Sequence, residues 1–116
     1  MSSVLIVDDH AGFRRTARAL LELAGFEVVG EADDGRSALE QVASLRPDIV
    51  LLDVQLPDMD GFEVAKRIES GGYCPRIVLT SSREASEFGG LVTSSSAHGF
   101  IPKDELSGRR LAALVE

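Results

Sequence analysis

The decisive stretch for the fold runs from residue 49 to residue 61 and reads Ile49-Val50-Leu51-Leu52-Asp53-Val54-Gln55-Leu56-Pro57-Asp58-Met59-Asp60-Gly61. Four apolar residues run directly into an acid, and a proline, two further acids and a glycine then turn the chain. A continuous apolar run of this length, bounded by turn residues, is typical of a strand buried on both faces of a parallel sheet. Ligands of open α/β sheets bind at the carboxyl ends of the strands. We therefore expect Asp53 to be a reactive carboxylate.

Strand and helix patterns alternate along the rest of the chain. Short apolar runs at residues 4–7, 28–29, 49–52, 77–79 and 100–101 predict five strands. Between them, apolar residues recur at three- and four-residue steps, as on one face of a helix. The alternation predicts an α/β fold, a doubly wound five-stranded parallel sheet with helices on both faces.

Several boundaries within this pattern can also be predicted. Gly25 stands where a left-handed residue commonly ends a helix, and Pro47 stops the second helix. Residues 83–98 are rich in glycine and serine, so we expect a short or loosely held fourth helix with Phe88, Leu91 and Val92 on its stripe. The polar flanks of the second strand and Pro102 in the fifth predict that both are edge strands.

Composition excludes several classes of protein. The 116 residues suffice for one domain, 1–116, with no output domain, and the net charge of −7 gives no basic face for nucleic acid. The single cysteine, Cys74, cannot form an intrachain disulfide. No segment has the apolar length of a membrane span or the pattern of a signal peptide. We therefore expect a cytoplasmic protein that binds neither membranes nor nucleic acid directly.

Chemically active side chains follow four of the predicted strands, and parallel strands bring them to one edge of the sheet. They are Asp8, Asp9, Asp53, the pair Thr80 and Ser81, and Lys103. Carboxylates within about 4–5 Å repel one another by about 3–4 kcal/mol per pair at an effective dielectric of 20, so either their pKa values separate or a divalent cation lies between them. Oxygen ligands favour Mg²⁺. An aspartate can form an aspartyl phosphate, while a lysine and a hydroxyl neutralise the phosphoryl oxygens.

These motifs resemble the receiver domain of response regulators, a CheY-like family of two-component signalling. The resemblance rests on Val4-Leu5-Ile6-Val7-Asp8-Asp9, on Leu51 to Gly61, on Thr80-Ser81, and on Gly99-Phe100-Ile101-Pro102-Lys103-Asp104. It spans essentially the whole chain. It implies a flavodoxin-like sheet in the order 2-1-3-4-5, and a phosphoacceptor that assists only its own phosphorylation and slow dephosphorylation, rather than an enzyme.

The resemblance also implies a role for each site residue. Asp53 would accept the phosphoryl group from the phosphohistidine of a sensor histidine kinase or phosphotransfer protein. Mg²⁺, with Mn²⁺ as a substitute, would be held by Asp9, Asp53 and the backbone carbonyl of Gln55, with Asp8 acting through water. Lys103 would contact the phosphoryl oxygens. A hydroxyl on the fourth strand and Phe100 would form the switch, and a homodimer would use the face of the fifth strand and last helix.

Some choices stay open at this level. The switch hydroxyl is Thr80 when counted from Pro75 and Ser81 when counted back from Lys103; we prefer Thr80. Phe100 fits plain core packing as well as a switch. His10 and His98 lack the spacing of metal ligands and are expected to be surface residues. Asp58 and Asp60 are interpreted as turn and helix-start residues.

Two other functions compete with the phosphoacceptor. A receiver-like interaction module would never become phosphorylated, but such relatives usually lose an acid or the lysine, and this chain retains them. A small aspartate-nucleophile phosphatase would require a second acid two residues after the nucleophile, where this chain has Gln55.

Overall fold

In the computed structural model, which describes residues 2–83, 85–95 and 97–115, the decisive stretch forms the central strand β3 (Ile49–Asp53). Every residue of β3 is buried. Ile49 and Leu51 pack into one core and Val50 and Leu52 into the other. This alternation follows from the two-residue period of a strand, and burying each large aliphatic side chain stabilises the fold by about 1.5–3 kcal/mol. The strand therefore holds both layers of the molecule together.

Four further strands complete the sheet: β1 (Ser3–Val7), β2 (Glu27–Ala32), β4 (Arg76–Ser81) and β5 (Gly99–Pro102). The order is β2-β1-β3-β4-β5, and every pairing is parallel. The predicted fold class, strand order and edge positions of β2 and β5 are confirmed. β2 is longer than its apolar pair suggested, since Gly30, Glu31 and Ala32 continue its pairing with β1.

Helices cover both faces of the sheet. Residues of α1 (Ala11–Leu23) and α5 (Gly108–Val115) belong to one core, and residues of α2 (Gly35–Leu45) and α3 (Gly61–Ser70) belong to the other. Gly25 ends α1 as predicted, with φ +96°. Its N–H donates to the carbonyl of Glu22, and the Phe26 N–H donates to that of Leu21, which is the Schellman arrangement.

The connection between β4 and β5 is built from short pieces. A 3₁₀ turn at Ala85–Phe88 precedes α4 (Leu91–Ser94), a single helical turn. A short fourth helix is therefore confirmed, but the continuous stripe predicted for Phe88, Leu91 and Val92 is wrong. Gly89, with φ +59°, separates the two pieces, and Leu91 is 54% exposed. Glu84 and Ser96, which belong to the stretch of this prediction, lie outside the described residues.

The last helix begins later than the apolar pattern suggests. Lys103–Glu105 form a 3₁₀ turn directly after β5, and Leu106 is buried between this turn and α5. The turn fixes Lys103 at the carboxyl edge of the sheet. Within the described ranges, none of the helices has the length and apolar character needed to cross a bilayer.

Candidate functional site

Three carboxylates meet where β1 and β3 end. The register pairs Val7 with Leu52, so Asp8 and Asp53 follow at the same level of the sheet. Both are buried, with Asp8 fully covered and Asp53 2% exposed, whereas Asp9 is exposed. One ligand atom from each of Asp8, Asp9, His10 and Asp53 lies within 4.8 Å of all the others. The convergence predicted from the sequence is therefore present.

Lys103 provides the positive charge for this cluster. Its Nζ lies 2.7 Å from Asp8 Oδ2 and 3.2 Å from Asp53 Oδ2, so that one ammonium group contacts both buried acids. The same Nζ lies 4.8 Å from the centroid of the Phe13 ring, within the range of a cation–π contact. The lysine is held from both the carboxylate side and the α1 side.

The electrostatics of the acid and the lysine are linked. Burial raises the pKa of Asp53, and the negative charge of Asp8 raises it further, against the opposing effects of the Gln55 N–H and Lys103. Burial alone would lower the pKa of Lys103, but its hydrogen bond to Asp8 and the charges of Asp53 and Asp8 outweigh it, so the pKa is raised. Lys103 is therefore a cation at neutral pH, beside a carboxylate whose negative charge is costly.

The turn after β3 fixes the backbone around Asp53. The Gln55 N–H donates to Asp53 Oδ1 at 3.2 Å, and the Gly61 N–H donates to the carbonyl of Val54 at 2.6 Å. A Cβ at Gly61 would collide with the Asp53 carbonyl oxygen and lie 2.9 Å from the Val54 Cα. Gly61 is therefore required because α3 starts against the backbone of the acid. Asp60 caps α3, as predicted, by accepting from the Glu63 N–H.

The two candidate hydroxyls on β4 differ in their surroundings. Thr80 pairs in register with Asp53, and its Oγ1 is buried without a hydrogen-bond partner among the described residues. Ser81 is equally buried, but its Oγ accepts from the Arg83 N–H at 3.0 Å. An unpaired buried hydroxyl costs about 1–3 kcal/mol, so Thr80 Oγ1 is the group that gains most from an incoming acceptor. The geometry supports Thr80 over Ser81.

Phe100 lies on β5 and pairs in register with Leu79, one residue before the position that pairs with Thr80. It is half-buried and packs against the core that contains α2 and α3. Its ring centroid lies 6.1 Å from that of Phe88, which in turn lies 5.9 Å from that of Phe62. These contacts support the core-packing interpretation, while movement of the ring in a switch stays a prediction.

The donor set fits a hard divalent cation. The exposed Asp9 and the buried Asp53 both offer carboxylate oxygens to the cluster, and carboxylate oxygens are what Mg²⁺ prefers. The unpartnered Thr80 hydroxyl beside Asp53 fits an anionic ligand in the same place. The Gln55 N–H donates a hydrogen bond to Asp53. Coordination of the cation by the Gln55 backbone carbonyl stays a prediction.

Sequence reasoning missed three contacts: those of His10 and Asp58 lie at this edge, and that of His98 lies at the opposite edge, where β4 and β5 begin. His10 is 69% exposed, as expected of a surface residue, but its Nδ1 lies 3.1 Å from both Asp8 Oδ1 and Asp9 Oδ1. Asp58 accepts from the Gly35 and Arg36 N–H groups, so it caps α2 rather than α3. His98 is exposed, yet its Nδ1 accepts from the Ile77 N–H. The sequence offered a signal for only one of these contacts, because His10 directly follows the acid pair Asp8-Asp9.

Fold and site together define a flavodoxin-like α/β domain with an acidic cluster at the carboxyl edge of its sheet. The family model of the response regulator receiver domain matches residues 4–116. The chain belongs to this family, the receiver domains of two-component systems.

Individual relatives agree with this assignment. The transcriptional regulatory protein PdtaR of Mycobacterium tuberculosis is 36% identical over 121 residues, which covers 97% of this chain and 59% of PdtaR. BvgA of Bordetella pertussis is 38% identical over 104 residues, covering 90% of this chain and 50% of BvgA. The chain thus spans only about half of the length of these two regulators.

A solved structure has the same fold over nearly its whole length. The signal receiver domain of NarL from Mycobacterium tuberculosis superposes with a TM-score of 0.87 at 36% identity, covering 97% of this chain and 95% of that chain. The response regulator domain of Thermotoga maritima CheB superposes with a TM-score of 0.80 at 28% identity, covering 97% of this chain and 89% of that chain.

Proposed function

We propose that this receiver domain accepts a phosphoryl group on Asp53 from the phosphohistidine of a sensor histidine kinase or phosphotransfer protein. The observation that carries the proposal is the position of Asp53, 2% exposed at the end of the central strand, with Lys103 3.2 Å from one of its oxygens and Thr80 opposite it in the sheet. An acid in this position can share a cation with Asp9, is paired with the charge of Lys103, and lies opposite the hydroxyl of Thr80.

In the transfer step, a carboxylate oxygen of Asp53 attacks phosphorus. The phosphorus–oxygen bond forms as the phosphorus–nitrogen bond to the donor imidazole breaks, and the leaving imidazole keeps the electron pair. Lys103 stays protonated because its pKa is raised, so it neutralises charge on the phosphoryl oxygens. The Thr80 hydroxyl, which has no partner among the described residues, donates to one of those oxygens.

Mg²⁺ would be held by Asp9, Asp53 and the Gln55 carbonyl, with Asp8 acting through water and Mn²⁺ as a substitute. When bound, the cation supplies the positive charge that lets an anionic phosphoryl group approach an anionic carboxylate. Asp8 is fully buried and already paired with Lys103 at 2.7 Å, which suits an indirect role.

The output of the reaction is a change in a binding surface rather than turnover of a substrate. Donation by Thr80 to the phosphoryl group would draw its side chain toward Asp53, and the ring of Phe100 on β5 would then move inward. We propose that this alters the face of β5 and α5, where a homodimer would form. The chain would act in the cytoplasm as a phosphoacceptor, not as an enzyme, and without direct binding to nucleic acid.

The test is incubation with acetyl phosphate and Mg²⁺, with the phosphoryl content measured by intact mass. Wild type is expected to gain one acid-stable, base-labile phosphoryl group. Asp53→Ala should gain none, and Lys103→Ala should be slowed strongly. Asp33→Asn is the matched control, because Asp33 is an exposed acid near the end of β2 and outside the acidic cluster.

Two results would favour the competing functions. A wild-type chain that stays unmodified with acetyl phosphate and with phosphohistidine donors would favour a phosphorylation-independent interaction module. Rapid multiple turnover of a small phosphate ester would favour an aspartate-nucleophile phosphatase. Gln55, which stands where that class requires its second acid, is exposed and donates its backbone N–H to Asp53.

A further inference from the structure

His10 is the part of the acidic cluster that the proposed phosphoacceptor function leaves unused. Its backbone N–H donates to Asp8 Oδ1 at 2.8 Å, and this hydrogen bond holds the His10 backbone next to the buried carboxylate. Its Nδ1 lies 3.1 Å from the same Asp8 oxygen and 3.1 Å from Asp9 Oδ1. The imidazole therefore does not extend freely into solvent, although the side chain is 69% exposed.

The spacing of these atoms is that of neighbouring ligands around one metal ion. In an octahedral complex with bonds of 2.0–2.1 Å, adjacent donor atoms lie about 2.9 Å apart. His10 Nδ1 lies 3.1 Å from Asp9 Oδ1, which is within about 0.2 Å of this value. The nitrogen also belongs to the group of ligand atoms, including one of Asp53, that lie within 4.8 Å of one another.

A ligand in this place is indicated by more than the acids. Thr80 Oγ1 is buried beside Asp53 and has no hydrogen-bond partner among the described residues. A second group at the same edge of the sheet is thus built for an absent binding partner. The carboxylates alone would suit Mg²⁺, whereas an imidazole nitrogen favours first-row transition metals such as Mn²⁺, Co²⁺ and Ni²⁺ increasingly along that series.

We propose that His10 Nδ1 is a direct ligand of the divalent cation held by Asp9 and Asp53, and that it shifts the preference of the site from Mg²⁺ toward transition metals. This inference rests on the proposed function, because it uses the same metal site. Carboxylate oxygens only accept hydrogen bonds, so the 3.1 Å contacts of Nδ1 require its hydrogen when no cation is shared. In the metal-bound protein, Nδ1 presents its lone pair and the hydrogen resides on Nε2, on the exposed side of the ring.

The experiment measures metal binding without phosphorylation. Mn²⁺, Co²⁺, Ni²⁺ and Mg²⁺ are titrated calorimetrically into wild type, His10→Ala and Asp9→Ala, and the Mn²⁺ complex is examined by electron spin-echo envelope modulation for coupling to imidazole ¹⁴N. The chain has two histidines, so His98→Asn is the matched control. Its amide oxygen can replace His98 Nδ1 as the acceptor of the Ile77 N–H.

The proposal predicts imidazole ¹⁴N coupling in wild type and His98→Asn, and its loss in His10→Ala. It also predicts that His10→Ala weakens Co²⁺ and Ni²⁺ binding by about 10- to 100-fold and Mg²⁺ binding by less than about threefold. Metal binding in wild type without this coupling, or tighter binding in His10→Ala because a competitor for the carboxylates is gone, would overturn it and leave the proposed function standing. Absence of metal binding in wild type, with Asp9→Ala unchanged, would overturn both.

Discussion

At the end of β3 the chain is fixed by close backbone approach and by helix caps, whereas between β4 and β5 it runs through a 3₁₀ turn and one helical turn. α3 has ten residues, and its first turn is capped by the Asp60 side chain. α4 has four residues, and its N-cap, Gly90, provides no side-chain hydrogen bond. Both regions border the same edge of the sheet. Asp53 is thus followed by a capped helix of ten residues, whereas the neighbouring surface is formed by a 3₁₀ turn and a four-residue helix.

Substitution at the two glycines that start these helices gives the largest expected difference. Gly61→Ala should lower the free energy of unfolding by about 2–3 kcal/mol, because the added Cβ would collide with the backbone of Asp53 and Val54. Gly90→Ala should change it by less than about 1 kcal/mol, since no atom of the described residues lies within 4 Å of its added Cβ and its φ is −83°. Urea unfolding measures both. Equal losses of unfolding free energy in the two variants would show that the start of α3 is packed no more closely than the start of α4.

Asp53, at the end of β3, carries a negative charge that its buried surroundings disfavour. Burial and Asp8 raise the pKa of Asp53 above 3.8, so its stabilising contribution is present below that pH and is lost as pH rises through the folded-state value. Asp53→Asn should therefore raise the free energy of unfolding at pH 7 by about 1 kcal/mol in metal-free buffer, and by less near pH 4. Urea unfolding across this pH range measures the difference.

Glu31 on the edge strand β2 is the matched control, with the opposite sign. Its hydrogen bond from Arg18, aided by Arg14, lowers its pKa below 4.5. Its contribution is thus present above pH 4.5 and lost as pH falls through the folded-state value. Glu31→Gln should destabilise by less than about 1 kcal/mol at pH 7 and by less still at pH 3. If both variants changed stability in the same direction, the assignment of the two environments would be wrong.

The cap of α3 is expected to have a smaller effect. Asp60→Ala should lower the free energy of unfolding by about 1 kcal/mol, because the Glu63 N–H loses its acceptor. Asp60→Asn serves as its control, since an amide oxygen can accept the same hydrogen bond. Thermal unfolding at neutral pH compares the three proteins. A variant series without any difference would mean that the close approach at Gly61 alone fixes this turn.

The smallest effect is expected in α4. Ser94→Ala removes a hydroxyl that donates to the Gly90 carbonyl at 2.8 Å, within a single exposed turn. We expect a change in the free energy of unfolding below about 0.5 kcal/mol, measured by urea unfolding alongside the α3 variants. A loss as large as that of Asp60→Ala would show that α4 is as firmly held as α3.

The difference between the end of β3 and the connection from β4 to β5 explains which features could be predicted from the sequence. Leu51-Leu52-Asp53 has a two-residue period and an acid at its end, so both the central strand and the position of Asp53 follow from local pattern. Parallel pairing then brings Asp8 and Lys103 to the same edge without further information. These features depend on burial, which sequence patterns report well.

Contacts between distant or flexible polar groups could not be predicted in this way. Asp58 caps a helix that begins 23 residues earlier in the chain, at Gly35, and nothing in the local pattern connects the two. His10 contacts the acids because its backbone N–H donates to Asp8 Oδ1 just after β1 ends. The stripe assumed for Phe88 and Leu91 failed because Gly89 takes a positive φ, which a helical pattern does not reveal.

Chemical trapping tests whether Asp53 is the phosphoacceptor. Wild type is treated with acetyl phosphate and Mg²⁺ and then with borohydride, which reduces an acyl phosphate to an alcohol with release of phosphate. Tandem mass spectrometry locates the product. We predict homoserine at position 53 and at no other acid, with none in a sample prepared without acetyl phosphate. Reduction at Asp8 or Asp9, or phosphorylated protein that yields no homoserine, would show that Asp53 is not the phosphoacceptor.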